Sequence, residues 1–139
     1  MSDDCIFCKI IAREIPAAIF YEDENVVAFL DAFPAVNGHC LVVPKHHTES
    51  LRTSPAEVLQ AAEVLPQLAR IAAACVEAEG VNILCNDGRV AGQIVPHIHF
   101  HIVPRQSDDG IRFHAPQQQA DMEKLHALAE KYKQALKEE

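Results

Sequence analysis

The sequence predicts an α+β fold: an antiparallel five-stranded sheet with one long helix and a short N-terminal helix, plus a C-terminal helix. Two patterns carry this expectation. Five short apolar runs of strand length are bounded by turn residues, and they fall in groups rather than alternating with helices. Between the third and the fourth lies a Leu- and Ala-rich stretch with helix punctuation at both ends.

Cys5 to Arg13 reads as the short helix, with Ile6, Ile10 and Ile11 at helical spacing, and Pro16 breaks it. Ala18 to Glu22 and Val26 to Asp31 flank Glu22-Asp23-Glu24-Asn25, a hairpin pattern. Phe33-Pro34 to Asn37-Gly38 is a loop by its turn residues. His39 to Val43 is a buried strand stopping at Pro44. Ser54 is the expected N-cap of the long helix, with Pro55 at N1 and Glu57 closing a capping box. That helix runs towards Glu79 and ends at Gly80 as a C′ glycine, with Pro66 as a kink or break inside it. Val81 to Cys85 is a strand, Asn86-Asp87-Gly88 a turn, and His97 to Val103 the last strand, closed by Pro104. Ala120 to Lys137 is an amphipathic helix.

With 139 residues the chain has the size of one domain, read as a core of about residues 5–105 and a polar extension, 106–139. Apolar residues make up 49%, which excludes general disorder. No apolar run reaches the roughly 20 residues of a membrane span, so no membrane partner is expected. Met1-Ser2-Asp3-Asp4 is acidic and has no basic n-region, so a cytoplasmic location is expected. A net charge of −8 repels phosphate backbones and argues against nucleic acid as a partner. The five cysteines are odd in number, which argues against a disulfide framework. Cys40, Cys75 and Cys85 read as core residues.

The informative stretch is His97-Ile98-His99-Phe100-His101-Ile102-Val103. Strand alternation sends Ile98, Phe100 and Ile102 to one face and three histidines to the other, rooted about 7 Å apart. Nothing in sheet stability calls for three imidazoles on one face. A single metal is a poor fit, because the outer two are rooted about 13 Å apart and tetrahedral bonds of about 2 Å need convergent ligands. Phosphoryl chemistry fits better. A neutral imidazole is available near pH 7 and splits one displacement into two easier ones through a covalent intermediate. Around it the reaction needs alignment and positive charge.

In these residues the chain resembles the histidine triad (HIT) nucleotide-binding hydrolases, whose motif is His-φ-His-φ-His-φ-φ with φ apolar. The likeness extends through Gly92-Gln93-Ile94-Val95-Pro96, Asn86-Asp87-Gly88, Phe29-Leu30-Asp31 and Gly38-His39 to His47. Cys5-Ile6-Phe7-Cys8 looks like the cysteine-bearing bacterial members. The resemblance implies that His99 is a nucleophile that becomes nucleotidylated and that His101 and His39 contact phosphate oxygens. Asn86 and Gln93 would flank the phosphate or the leaving group. Asp31 would bind the ribose hydroxyls, and Ile6, Phe7, Ile10 and Phe29 would form the slot for the base. It further implies release of a nucleoside 5′-monophosphate, AMP in first place, from a phosphoramidate or a dinucleoside polyphosphate. A nucleotide-binding or partner-docking protein with little turnover is the alternative. A homodimer, with the long helix and a strand edge at its interface, is implied as well. Ile94 departs from the Ser or Thr that eukaryotic members often carry at that position.

Cys5 and Cys8 by themselves leave a redox pair and a half zinc site open. The resemblance to cysteine-bearing relatives implies that Cys5, Cys8, His47 and His97 hold a structural Zn²⁺, with His46 as the neighbouring alternative to His47. His114 and His126 read as surface residues.

Overall fold

The computed structural model describes residues 4–139; the acidic start, Met1 to Asp3, lies outside them. Five strands form one antiparallel sheet: β1 (Ile19–Glu22), β2 (Val26–Leu30), β3 (Cys40–Pro44), β4 (Gly80–Leu84) and β5 (Phe100–Arg105). Their spatial order is β1-β2-β3-β5-β4. The helices are α1 (Ile6–Ile11), α2 (Pro55–Cys75) and α3 (Met122–Lys137).

β2 and β3 are apolar at every position because both faces of the sheet are covered. Val26, Ala28, Cys40, Val42, Phe100 and Ile102 point to one face, with Ile98 beside them, and pack under Ala61 and Leu68 of α2. The alternate residues, Val27, Phe29, Leu41 and Val43, meet Cys5, Phe7, Cys8 and Ile10 from α1 and its cap. Burying the α2 face is the larger contribution, so Ile102→Ala is expected to cost about 2–5 kcal/mol. Ile102 has no exposed surface. A lower urea midpoint at an unchanged m-value is the expected result.

Several boundaries differ from the sequence expectation. α1 ends at Ile11, and Arg13, at φ 65°, turns the chain well before Pro16. α2 ends at Cys75, not near Glu79. The reversal uses Glu77 at φ 53°, and Gly80 opens β4 instead of capping the helix, because the Glu79 amide already donates to Arg105 in the neighbouring strand. The expected capping box is absent. Ser54 makes no side-chain cap bond, and Glu57 instead accepts from His46 at 2.8 Å. α2 runs unbroken through Pro66, which lies on its solvent side, where water can satisfy the carbonyl one turn back. β5 begins at Phe100 rather than His97, since the Ile98 amide donates to Thr48 outside the ladder. It continues through Pro104, which lies beyond the last residue paired with β3. Cys75 is exposed and is not a core residue; Cys40 is, and half-buried Cys85 packs against the core. α3 starts at Met122, two residues later than expected, and none of its residues is buried.

Candidate active site

Sheet alternation builds the site. His99 and His101 project to the α1 face, the face of Leu41 and Phe29, while Ile98, Phe100 and Ile102 anchor their backbone under α2. A cleft of about 530 Å³ opens there. It brings together Ile6, Phe7, Ile10, Phe29, Asp31, Asn86, His99 and His101. Phe7 packs edge-on against both Phe29, at 5.7 Å between ring centres, and His99, at 4.9 Å.

Backbone partners fix the tautomers of the imidazoles. A carbonyl only accepts, so His99 donates from Nδ1 to the His97 carbonyl at 2.7 Å, which leaves the lone pair of the neutral ring on Nε2. An amide only donates, so the Ala35 N–H fixes His39 Nδ1 as an acceptor at 3.0 Å. His39 Nε2–H then donates to His101 Nδ1 at 3.0 Å, and the remaining proton of His101 sits on Nε2. Asp31 Oδ2 lies 3.6 Å from His39 Nε2, and its Oδ1 accepts from the Phe33 amide at 2.9 Å. The cleft therefore holds one imidazole lone pair, one imidazole N–H donor and one carboxylate.

Burial pushes the pKa values of His39 and His99 below the ordinary 6.5, although Asp31 opposes the shift at both. His101 is pushed down to about 4, first by burial and then by the neighbouring His99 and His39, again against Asp31. In the unfolded chain the ring titrates near 6.5. Between about pH 4 and 6.5 the unfolded state then binds more protons, so stability is full above 6.5 and drains away as pH falls towards 4. The urea midpoint is expected to fall between pH 7 and pH 5. His101→Gln, which keeps an acceptor for His39, should make that fall shallower.

Two expected site residues stand back from the cleft wall. His39 is behind His101 and acts on it through the 3.0 Å bond. The Gln93 amide is occupied by the backbone: it accepts from Gly88 N–H and donates to the Glu49 and Val95 carbonyls. Ala32, Phe33, Leu41, Gly92 and Val95 also line the cleft, beyond the residues the sequence points to, as does Ile94, the departure from the family pattern. Large apolar side chains inside turn-rich segments, Phe33 and Ile94, were the available signal. Gly92 is needed as glycine: it has φ 97°, and a Cβ there would come within 3.3 Å of Asn86 Nδ2.

The first histidine of the motif shares this face, with its ring 5.8 Å from that of Phe7, but it belongs to a second cluster. His97 joins Cys5, Cys8 and His47, whose donor atoms all lie within 4.8 Å of one another. Cys5 Sγ is 3.3 Å and Cys8 Sγ 3.6 Å from His97 Nδ1. His47 Nδ1 is 3.3 Å from Cys8 Sγ and 3.1 Å from His97 Nδ1. A tetrahedron with bonds of about 2.0–2.3 Å has edges of about 3.3–3.8 Å, so these residues fit a zinc ion. His97 Nε2 donates to the Pro44 carbonyl at 2.7 Å, which turns the Nδ1 lone pair towards the other donors. Cys5 is the N-cap of α1 and its sulfur accepts the Cys8 amide, so the C-x-x-C spacing places both sulfurs at the first turn. His46 is drawn away by Glu57.

Comparison with known proteins places the chain in a family. The HIT domain model matches residues 12–108. An adenosine 5′-monophosphoramidase of Candida albicans is 37% identical over 140 residues, covering 95% of this chain and 91% of the relative. The crystal structure of a Streptococcus mutans protein superposes with a TM-score of 0.93 at 38% identity, covering 98% of this chain and 87% of the other. A zinc-bound histidine triad family protein from Mycobacterium smegmatis superposes with a TM-score of 0.73 at 42% identity, covering 83% and 84%. With its triad, its five-stranded sheet and these matches together, the chain belongs to the HIT domain family.

Proposed function

We propose that this protein releases a nucleoside 5′-monophosphate, AMP in first place, from a phosphoramidate or phosphoric ester through a nucleotidyl adduct on His99. The observation that carries the reading is the His99 tautomer: with Nδ1–H tied to the His97 carbonyl, the nucleophilic lone pair belongs to Nε2 in a cleft with an N–H donor beside it. The Candida relative's name, an adenosine 5′-monophosphoramidase, supports the substrate class.

In the first step Nε2 of His99 bonds to the α-phosphorus. The bond from phosphorus to the leaving nitrogen or oxygen breaks, and the leaving group departs with the electron pair and takes a proton from solvent. The adduct ring is cationic, and its Nδ1–H donates to the His97 carbonyl, which stabilises that charge. His101 Nε2–H holds a phosphoryl oxygen, and His39, itself fixed by Ala35, keeps that proton on Nε2. Water then attacks phosphorus and gives up a proton to solvent, and the P–N bond breaks with its electron pair returning to Nε2, which restores neutral His99. Asp31 accepts from the ribose hydroxyls, and Phe7, Phe29, Ile6 and Ile10 form the slot for the base. Asn86 and the loop braced by Gln93 border the leaving-group side.

We assign Zn²⁺ to Cys5, Cys8, His47 and His97 as a structural ion. It ties α1 to the segments before and after the sheet strands that carry the site, and it supplies no step of the reaction. The reading includes one domain over residues 1–139, a homodimer and a cytoplasmic setting. Exposed Leu59 and Ile71 on α2 support the dimer. Five unpaired cysteines support a reducing compartment. Among the described residues no helix is long and apolar enough to cross a membrane. Incubation with adenosine 5′-phosphoramidate and, separately, with a diadenosine polyphosphate tests the activity. AMP release from either is expected, and release from neither would leave a binding protein.

A further inference from the structure

Two of the most exposed large apolar residues of the described chain stand at the cleft, not on an unrelated face. Phe33 and Ile94 are each 91% exposed, and both line the cleft with His99 and His101. Side chains of this kind normally find cover, and when left open beside a reactive centre they mark a surface that a ligand covers. Both are held by braced backbone. The Phe33 amide donates to Asp31, and two residues later the Ala35 amide donates to His39. Ile94 follows Gln93, whose amide is bonded to Gly88, Glu49 and Val95. Ordering two free loops would cost conformational entropy on binding, and these loops are already ordered.

The apolar slot of Phe7, Phe29, Ile6 and Ile10 already accounts for one flat ring, the base of the monophosphate being released. Phe33 and Ile94 line the same cleft and are not among those four. Ile94 carries no hydrogen-bonding group, so it offers a polar leaving group nothing, whereas a planar apolar ring would bury it. Building on the hydrolase reading above, we propose that Phe33 and Ile94 form a second apolar subsite that selects leaving groups with an aromatic ring, an aryl or heteroaryl amine or a second nucleobase, over small polar ones.

The test compares kcat/KM for three substrates of purified protein: adenosine 5′-phosphoramidate, an adenosine 5′-arylmethyl phosphoramidate and diadenosine triphosphate. Wild type, Ile94→Ser and Phe33→Ser are measured side by side, with His99→Ala as the blank. Both substitutions are on exposed side chains, and thermal unfolding checks that each variant folds. The ratio of ring-bearing to unsubstituted substrate is expected to exceed one in wild type and to fall by about tenfold in each variant. The arylmethyl and dinucleotide arms show which ring source the subsite takes. Activity in wild type with ratios unchanged in both variants would overturn the subsite while leaving the hydrolase reading intact. No His99-dependent release from any substrate would overturn both.

Discussion

His99→Ala is expected to lower AMP release by at least about 10³-fold while AMP still binds. Two contacts prepare His99 for this role. The bond from Nδ1 to the His97 carbonyl commits the lone pair to Nε2, and burial beside Phe7 keeps the ring neutral. Alanine removes the proposed nucleophile but leaves Asp31, His101 and the proposed base slot in place, so binding and turnover should separate. Rapid acid quench with mass spectrometry should capture an AMP adduct on a peptide containing His99 in wild type and none in the variant. A double displacement also retains configuration at phosphorus, which a chiral thiophosphoryl substrate would report. Inversion, with no trapped adduct, would mean that water attacks directly and that His99 acts only as a base.

The second large effect concerns the four-residue cluster. Cys8→Ala is expected to lose one equivalent of zinc, read by atomic emission, and to lower Tm by on the order of 10 °C. A metal bound about a thousandfold above its Kd stabilises by roughly 4 kcal/mol, and one removed thiolate forfeits most of that. Chelation of wild type should give a similar loss. His46→Ala is the contrasting variant: His46 bonds Glu57 at the surface, so zinc content should stay at one equivalent. At a temperature where the metal-free chain is still folded, turnover should remain above the His99→Ala level, because the ion touches no reacting atom. A drop to that level with no change in Tm would identify a catalytic metal instead.

Both expectations depend on how His97, His99 and His101 divide. Strand alternation alone puts them on one face, and one face looks like one function. The three do share the α1 face, but they divide along it: His97 meets the two sulfurs at the first turn of α1, while His99 and His101 line the cleft.

Sequence alone determined what local chemistry specifies: the α+β class, five strands with two-residue alternation, the helix across one face, and the residue types that bear lone pairs and thiols. These depend on patterns within about ten residues of the chain, where propensity and burial agree. The capping box at Ser54 failed because Glu57 met His46, eleven residues away, a partner that no local pattern reveals. Gly80 reads locally as a helix stop, yet pairing with Arg105 makes it a strand start. Tertiary structure alone decided that His47 and not His46 joins the cysteines, that Gln93 braces a loop, and that Ala35 sets the proton on His39 and through it on His101. Each of those is a contact between segments distant in sequence or between a side chain and a backbone group, and it exists only once the sheet has brought them within about 3 Å.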